Sequence, residues 1–116
     1  MIKTIEIVKD FSPTPGGRYI SDGPDSGQQF RDRLLAPALS RAVNDGSKVV
    51  VILDGPRGYL SSFLEEAFGG LIRVCGFSKR TLARHLEIRA VDPFYETYRV
   101  LAQRYIADAR EIEIAS

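Results

Sequence analysis

The chain has 116 residues, 44% of them hydrophobic and 27% charged, and a formal net charge of +1. These values are typical of one folded domain, here expected over 1–116, and they exclude an extensively disordered chain. A near-neutral chain has no overall basic field, which excludes nucleic-acid binding by general charge attraction alone.

The first predicted element is a strand. The alternating segment IKTIEIV predicts it over 2–8. The next stretch, FSPTPGGRYISDGPDSG, concentrates proline, glycine, serine and aspartate. It therefore predicts turns and loop, with a short strand over 18–20 that folds back on the first strand.

The first long helix is predicted from about 27 to 43. Ser26 and Gln29 form a capping box directly before apolar residues at helical spacing. Pro37 lies inside this helix and removes one backbone hydrogen-bond donor. We therefore expect a kink or a break near Leu34 rather than a straight helix.

The middle of the chain predicts a central strand and a second long helix. The segment KVVVILDG is a continuous β-branched run, typical of a strand covered on both faces. The helix after it is expected to end at Gly76, and Gly69-Gly70 is expected to allow close packing. Its apolar stripe consists of Phe63, Leu64, Ala67, Phe68, Leu71 and Ile72.

The last third predicts a short helix, a strand and a final helix. We expect SKRTLARH to form a short helix capped by Ser78 and LEIRAV to form a strand. Asp92 is expected to cap the final helix. The core face of that helix is predicted to contain Phe94, Tyr98, Leu101 and Tyr105. The order of elements implies an α/β fold with a mixed sheet of about four strands and helices packed against it.

Two serines directly precede the second long helix. Ser62 and Glu65 match the S-x-x-E capping box, which predicts that the Ser62 hydroxyl caps the first turn. Phosphorylation of Ser61 or Ser62 is the alternative. A phosphate there would gain from the helix N-terminus, but Glu65 and Glu66 would oppose it by like charge.

The block VVVILDGPRGYLSSFLEEAFGGLIR, with FSPTPGGRY and SGQQFRDRLL upstream, resembles the STAS-like domains of unknown function, distant relatives of the anti-sigma-factor antagonists. The resemblance covers roughly residues 5 to 100 and is most specific over SSFLEEAFGGL. In the antagonists, a partner kinase phosphorylates a serine at the matching helix start. The resemblance therefore implies this role for Ser61 or Ser62, and a histidine-kinase-like ATPase or another signalling protein as partner. The chain departs from the antagonists at Leu60 and Phe63, where they carry Asp and Gly.

The loop before the serines is the predicted partner surface. Tyr59 and Leu60 are predicted apolar anchors, Arg57 is their polar neighbour, and Glu66 lies on the adjacent helix. The alternative for Leu60 is a position under the helix as an N-terminal staple. We therefore predict a non-enzymatic regulatory or signalling domain that acts by protein–protein contact, with an oligomeric state that the sequence leaves open.

The glycine-rich loop 16–27 suggests a different function, the binding of an anion or a nucleotide. Backbone amides near Gly17, Arg18 and Ser26 would cradle the phosphate at the helix N-terminus. The match is incomplete, because a P-loop ends in Gly-Lys-Ser/Thr and this chain has Gly27-Gln28-Gln29.

A helix-turn-helix-like segment at 71–86 suggests DNA binding as a further alternative. Its candidate contact residues are Arg73, Lys79, Arg80 and Arg84. A strand is predicted where such a motif usually has a supporting helix, and DNA-binding domains usually carry a wider basic surface. Nucleic acid is therefore not the predicted partner.

The sequence contains no recognisable catalytic constellation. Cys75 and His85 are each the only residue of their type, and no spacing of acidic residues sets up a metal site or a nucleophile with its base. We therefore predict no catalytic residue, metal or cofactor. Met1 leads directly into the first strand without a secretory leader or membrane span, so a cytoplasmic protein is expected.

Overall fold

The computed structural model of the protein describes residues 1–111. In this part of the chain one sheet contains three parallel strands in the order β1-β2-β3. The strands are β1 (Ile2–Glu6), β2 (Lys48–Ile52) and β3 (Leu86–Arg89). The prediction of a mixed sheet with about four strands was therefore slightly off.

The segment 18–20 is not a strand. The chain enters a 3-10 turn at Ile20–Asp22, where the Asp22 amide donates to the Tyr19 carbonyl at 2.9 Å. The Asp22 carboxylate in turn accepts from the Tyr19 amide at 2.9 Å. These local bonds use the backbone groups that a strand at this position would offer to a neighbour.

Helices connect the strands and follow the last one. After β1 the chain forms a π turn at Ile7–Phe11 and then α1 (Gly27–Phe30), a π turn (Arg31–Leu35) and α2 (Ala36–Asp45). After β2 it forms α3 (Ser61–Leu64), a π turn (Glu65–Gly69), α4 (Gly70–Arg73) and α5 (Lys79–His85). After β3 it forms a 3-10 turn (Pro93–Tyr95) and α6 (Glu96–Asp108). We call 27–45 the first long helix and 61–73 the second.

The first long helix accommodates its proline by a widened turn. In the π turn Arg31–Leu35, the Ala36 amide donates to the Arg31 carbonyl, five residues back. Pro37 then follows as the second residue of α2. The widened turn occupies the place where the kink was predicted, and it keeps the helix continuous despite the missing donor.

The helices lie on one face of the sheet. Because the parallel strands follow one another in spatial order, right-handed crossovers place both connections on the same side. α6 joins this layer, since its Ala102 and Ile106 belong to the same buried core. The sheet contributes to that core Ile5, Ile7, Val49, Val51, Leu53, Leu86 and Ile88.

Val50 and Ile52 point to the opposite face of the sheet. They alternate with the core residues of β2, and neither belongs to the core cluster. Within residues 1–111, helices therefore cover only one face of the central strand. Val50 is nevertheless only 2% exposed and Ile52 is partly buried, so the burial predicted for both faces of this strand is met at Val50 and only in part at Ile52.

The last helix is rotated relative to its predicted orientation. Asp92 caps the segment as predicted, accepting from the Phe94 amide at 2.8 Å. However, Phe94 lies in the tight 3-10 turn before α6 and is 57% exposed. The fully buried positions of α6 are Ala102 and Ile106, while the predicted core residues Tyr98, Leu101 and Tyr105 are only partly buried.

The two long helices cross at glycine residues. A Cβ atom on Gly27 would lie 2.4 Å from the Phe63 carbonyl oxygen, and one on Gly70 would lie 2.4 Å from Arg31 Nη1. The predicted close packing at Gly69-Gly70 is confirmed. This close approach allows charged groups on the two helices to meet inside the protein.

Five charged residues form what we call the ion-pair cluster: Arg18, Arg31, Glu65, Glu66 and Arg73. At its buried centre, Arg31 Nη1 donates to Glu66 Oε2 at 2.5 Å and to the Glu66 carbonyl oxygen at 3.0 Å. Arg18 and Arg73 each bind both Glu65 and Glu66. The cluster therefore ties the first loop and both long helices together.

The pKa of Glu65 reflects two opposing effects. Partial burial would raise it, but hydrogen bonds and charge from Arg73 and Arg18 outweigh burial and hold the pKa below the ordinary value of 4.5. The carboxylate is thus charged over most of the pH range in which proteins fold.

We expect Gly27→Ala to lower the free energy of unfolding by about 1–3 kcal/mol, because the new methyl group would overlap the Phe63 backbone, which cannot rotate away. Chemical denaturation measures the change. Gly17→Ala is the matched control, since its Cβ would be 3.4 Å from the nearest atom, an ordinary contact. Equal stabilities of the two variants would contradict the crossing described above.

We expect Glu66→Gln to lower the free energy of unfolding by about 3 kcal/mol. The substitution leaves the buried Arg31 charge without its main partner, and breaking a buried pair costs ~3–5 kcal/mol. The lower value applies because Arg31 Nε also donates to Asp32 at 3.0 Å. Glu96→Gln, which removes an exposed pair with Arg99, should have a much smaller effect in the same assay, because solvent screens that pair.

The Glu65 ion pairs should make stability depend on pH. Because the pKa of Glu65 in the folded chain lies below the ordinary 4.5, its contribution is fully present above that value and is lost as the pH falls through the folded pKa. Wild type should therefore exceed Glu65→Gln in unfolding free energy at neutral pH and lose this advantage in acid. Denaturant titrations of both proteins from neutral to acidic pH test this prediction. A difference in unfolding free energy that does not change with pH would contradict it.

Candidate functional site

The candidate site lies where β2 ends and the second long helix begins. We call residues 54–60 the exit loop. Asp54, at its start, accepts hydrogen bonds from the Val91 and Asp92 amides, both at 2.8 Å. One carboxylate thus joins the ends of β2 and β3, and it also explains why β3 stops before Val91.

Tyr59 fixes the exit loop from inside. Its side chain is 8% exposed, and its hydroxyl donates to the Leu53 carbonyl oxygen at 2.5 Å. Its ring packs against Phe63 and Tyr98, with centroid distances of 5.7 and 5.4 Å. Burial, followed by the nearby charge of Tyr95, raises the pKa of Tyr59, so the phenol stays neutral. Tyr59 is therefore not an exposed anchor, contrary to the sequence interpretation.

The other predicted contact residues divide into exposed and buried ones. Leu60 is 58% exposed, so it is not a staple under the helix. Arg57 is also exposed. Glu66, by contrast, is 3% exposed and bound to three arginines of the ion-pair cluster, which removes it from any docking surface.

The serine pair does not form the predicted capping box. Leu60 is the N-cap and α3 begins at Ser61, so Ser62 already lies one residue inside the helix. Glu65 cannot return to the Ser62 amide, because its carboxylate binds Arg18 and Arg73. Ser61 is exposed and Ser62 is partly buried, which leaves Ser61 as the more accessible hydroxyl.

At the predicted anion site, groups that would bind a phosphate already have partners within the protein. The first four amides of the first long helix all have acceptors: the Gly17 carbonyl at 2.9 Å, the Arg18 carbonyl at 3.0 Å, Ser26 Oγ at 3.1 Å and the Ser26 carbonyl at 3.0 Å. Arg18 pairs with Glu65 and Glu66. The first turn of this helix therefore has no free amide for a phosphate, and the Arg18 guanidinium is already paired.

The helix-turn-helix interpretation loses part of its support by the same kind of observation. Arg73 belongs to the ion-pair cluster, and Lys79 Nζ donates to the Ala107 carbonyl oxygen at 2.5 Å. β3 begins at Leu86 directly after α5, so no supporting helix follows. Two of the four proposed DNA contacts are thus used to hold the fold.

A surface groove runs beside the exit loop. It has a volume of about 490 Å³ and is lined by Pro13, Thr14, Pro15, Gly55, Arg57 and Gly58. Its first wall is held by Ser12, whose Oγ donates to Asp25 at 2.8 Å and accepts from the Thr14 amide at 2.9 Å. Both walls are therefore fixed by hydrogen bonds.

Sequence reasoning missed Phe94 as a surface residue. The Tyr95 hydroxyl donates to the Pro56 carbonyl oxygen at 2.5 Å, which attaches the 3-10 turn Pro93–Tyr95 to the exit loop. Phe94 is consequently exposed next to that loop. The signal was available in Asp92 followed by Pro93, since this pair starts a tight turn before the regular helix.

The described residues include an exposed free thiol, Cys75. In 1–111, no three His, Cys, Asp or Glu residues lie close enough together to hold a metal ion. His85 Nδ1 hydrogen-bonds the Ser47 carbonyl oxygen at 2.7 Å, at the end of the sheet opposite Ser61. None of the helices over this range is long and apolar enough to span a membrane.

Comparison with known proteins identifies the family. Residues 26–95 match the family described as a STAS-like domain of unknown function, which confirms the resemblance noted in the sequence. No curated protein and no solved structure matches the chain. The matched segment holds both long helices, β2, the exit loop and β3, and thus the whole region in which Leu60 and Ser61 lie. Because the match extends over more than half of its 116 residues, the chain belongs to the family of STAS-like domains of unknown function.

Proposed function

We propose that the protein is a regulatory domain that binds a protein partner through Arg57, Leu60 and Ser61, which we call the rim surface. The observation that carries the proposal is the exposure of Leu60, 58%, on a loop that is held rigidly. Exposed apolar residues mark a contact surface when they occur together, and Phe94, 57% exposed, is a second one on the turn that Tyr95 attaches to this loop.

Four hydrogen bonds support the rigidity of the rim surface. Tyr59 binds the Leu53 carbonyl, Tyr95 binds the Pro56 carbonyl, and Asp54 accepts two amides from the loop after β3. A surface that is already ordered loses little conformational entropy when a partner binds. Leu60 is thus presented at low entropic cost.

The neighbourhood of Leu60 has the composition of a binding surface. Phe94 is 57% exposed on the turn that Tyr95 attaches to the exit loop, and Arg57 is exposed on the loop itself. Aromatic residues and arginine are enriched among the residues that dominate binding energy at protein interfaces. The rim surface therefore offers an apolar contact beside a cation.

Phosphorylation of Ser61 is the switch that we propose for this surface. Ser61 is exposed at the start of the second long helix, directly after Leu60. The like-charge opposition expected from Glu65 and Glu66 is reduced, because arginines of the ion-pair cluster bind both carboxylates. A phosphate would add about two negative charges beside Leu60 and repel a partner docked there.

The resemblance to the anti-sigma-factor antagonists supports a partner class. In that family a kinase-like ATPase both binds the domain and phosphorylates it, so we propose a protein of this class as the partner. The exposed position of Ser61 fits such a reaction, since a kinase must reach the hydroxyl oxygen.

Affinity capture followed by quantitative mass spectrometry tests the proposal. Tagged wild type is compared with Leu60→Asp, Ser61→Ala, Ser61→Glu and the control Ser40→Glu, which places the same charge on an exposed site of the first long helix. We expect a captured partner to lose at least about tenfold in affinity with Leu60→Asp and Ser61→Glu, because each adds charge at the contact. Ser61→Ala and Ser40→Glu should bind like wild type.

Calorimetry with the purified partner then gives the affinities. A partner that binds all five proteins equally would refute the rim surface as its docking site. A partner that is lost with Leu60→Asp but kept with Ser61→Glu would refute the phosphate switch alone.

A further inference from the structure

The face of the sheet that the helices leave uncovered, which we call the open face, has a defined pattern. Residues in register on parallel strands point to the same side of the sheet. Two rows of the open face are therefore Thr4, Val50 and Glu87, and Glu6, Ile52 and Arg89. Each row has an aliphatic centre between polar flanks.

This face has the character of a surface that is covered. All-parallel sheets occur almost only with both faces covered, because their crossovers usually place helices on each side. Here both crossovers fall on one side, yet β2 keeps the uninterrupted apolar run of a strand buried on both faces. Val50 is only 2% exposed, but Ile52 stays partly exposed where a face built for water would carry a polar residue.

We propose that a second copy of this chain covers the open face, so that two sheets pack face to face around a two-fold axis parallel to β2. Such a sandwich places the sheets about 10 Å apart with their strands nearly aligned. In this arrangement β1 of each copy lies over β3 of the other. Ile52, which is partly exposed in the single chain, then packs against the same residue of the other copy, whereas Val50 is already only 2% exposed.

Charge complementarity selects this partner and this axis. The axis brings Glu6 of each copy opposite Arg89 of the partner subunit, and it does so twice in the dimer. It also brings Thr4, a hydrogen-bond donor, opposite Glu87 of the partner subunit. The flanks beside Val50 and Ile52 are therefore complementary to themselves across the axis, whereas Lys48, at the start of β2, faces its own copy.

The other face-to-face arrangement is unfavourable. A two-fold axis perpendicular to β2 would place Lys48 over Ile52 and Ile2 over Glu6 in the partner subunit. Each contact would bury a charge against an aliphatic side chain and leave that charge without a partner. The distribution of charge on the open face thus distinguishes the two orientations.

The ion pairs that Glu6 and Arg89 form within one chain do not prevent these residues from pairing across the dimer. Glu6 lies 3.6 Å from Lys9, and Arg89 lies 2.5 Å from Glu87. All four side chains are more than one third exposed. Exposed pairs contribute little to stability, so Glu6 and Arg89 can change partners when the second copy binds.

Sedimentation velocity over a range of protein concentrations tests the proposal. Wild type should dimerise reversibly. Ile52→Glu, which adds a charge at the centre of the interface, should weaken association by at least about tenfold. Glu6→Arg and Arg89→Glu should each do the same, because each creates two like-charge contacts. Arg33→Glu, an exposed reversal on the helix side, should dimerise like wild type.

Mixing the two charge-reversal variants gives the sharper result. A Glu6→Arg chain paired with an Arg89→Glu chain restores opposite charges at both contacts, so the mixture should form a heterodimer although each variant alone is monomeric. Circular dichroism verifies that each variant is folded. If Ile52→Glu does not fold, the charge variants alone decide the question.

Three results would overturn the proposal. The first is a wild-type chain that stays monomeric at every concentration, including the case in which the open face binds a different protein. The second is a dimer unaffected by the open-face substitutions. The third is a mixture of the two charge variants that fails to associate.

Discussion

The buried pair of Arg31 and Glu66 is the interaction on which the rest of the structure depends. The side chains of Arg31 and Glu66 are each at most 4% exposed, so each charge needs the other as its partner. Without that pairing, the protein interior would hold an uncompensated ion. Their meeting requires the long helices to approach closely, which Gly27 and Gly70 permit. Arg18 and Arg73 extend the pair to the surface, so that the first loop and both helices share one electrostatic centre.

The ion-pair cluster also affects how the second long helix begins at the candidate site. By binding Glu65, the cluster removes the side chain that would otherwise have completed a capping box with Ser62. The second long helix consequently begins with Leu60 and Ser61 uncovered rather than capped.

The sequence predicted those features that depend on local pattern. The α/β class, the caps at Ser78 and Asp92 and the stop at Gly76 are set by residues near one another in the chain. The sequence could not predict which charged residues form pairs when they are far apart in the chain. Arg18 was interpreted as an anion ligand, although its partners Glu65 and Glu66 are 47 and 48 residues away. The burial of Tyr59 likewise depends on Tyr98, which a local pattern does not include.

The direction of the central strand has a geometric consequence. The exit loop lies at the end of β2, whereas the open face lies along its side, so a protein bound at one leaves the other unobstructed. In a sandwich whose axis runs along β2, the two loops emerge at the same end of the assembly. A ligand with two tethered recognition segments would then engage both at once, and avidity would replace the need for tight binding at either.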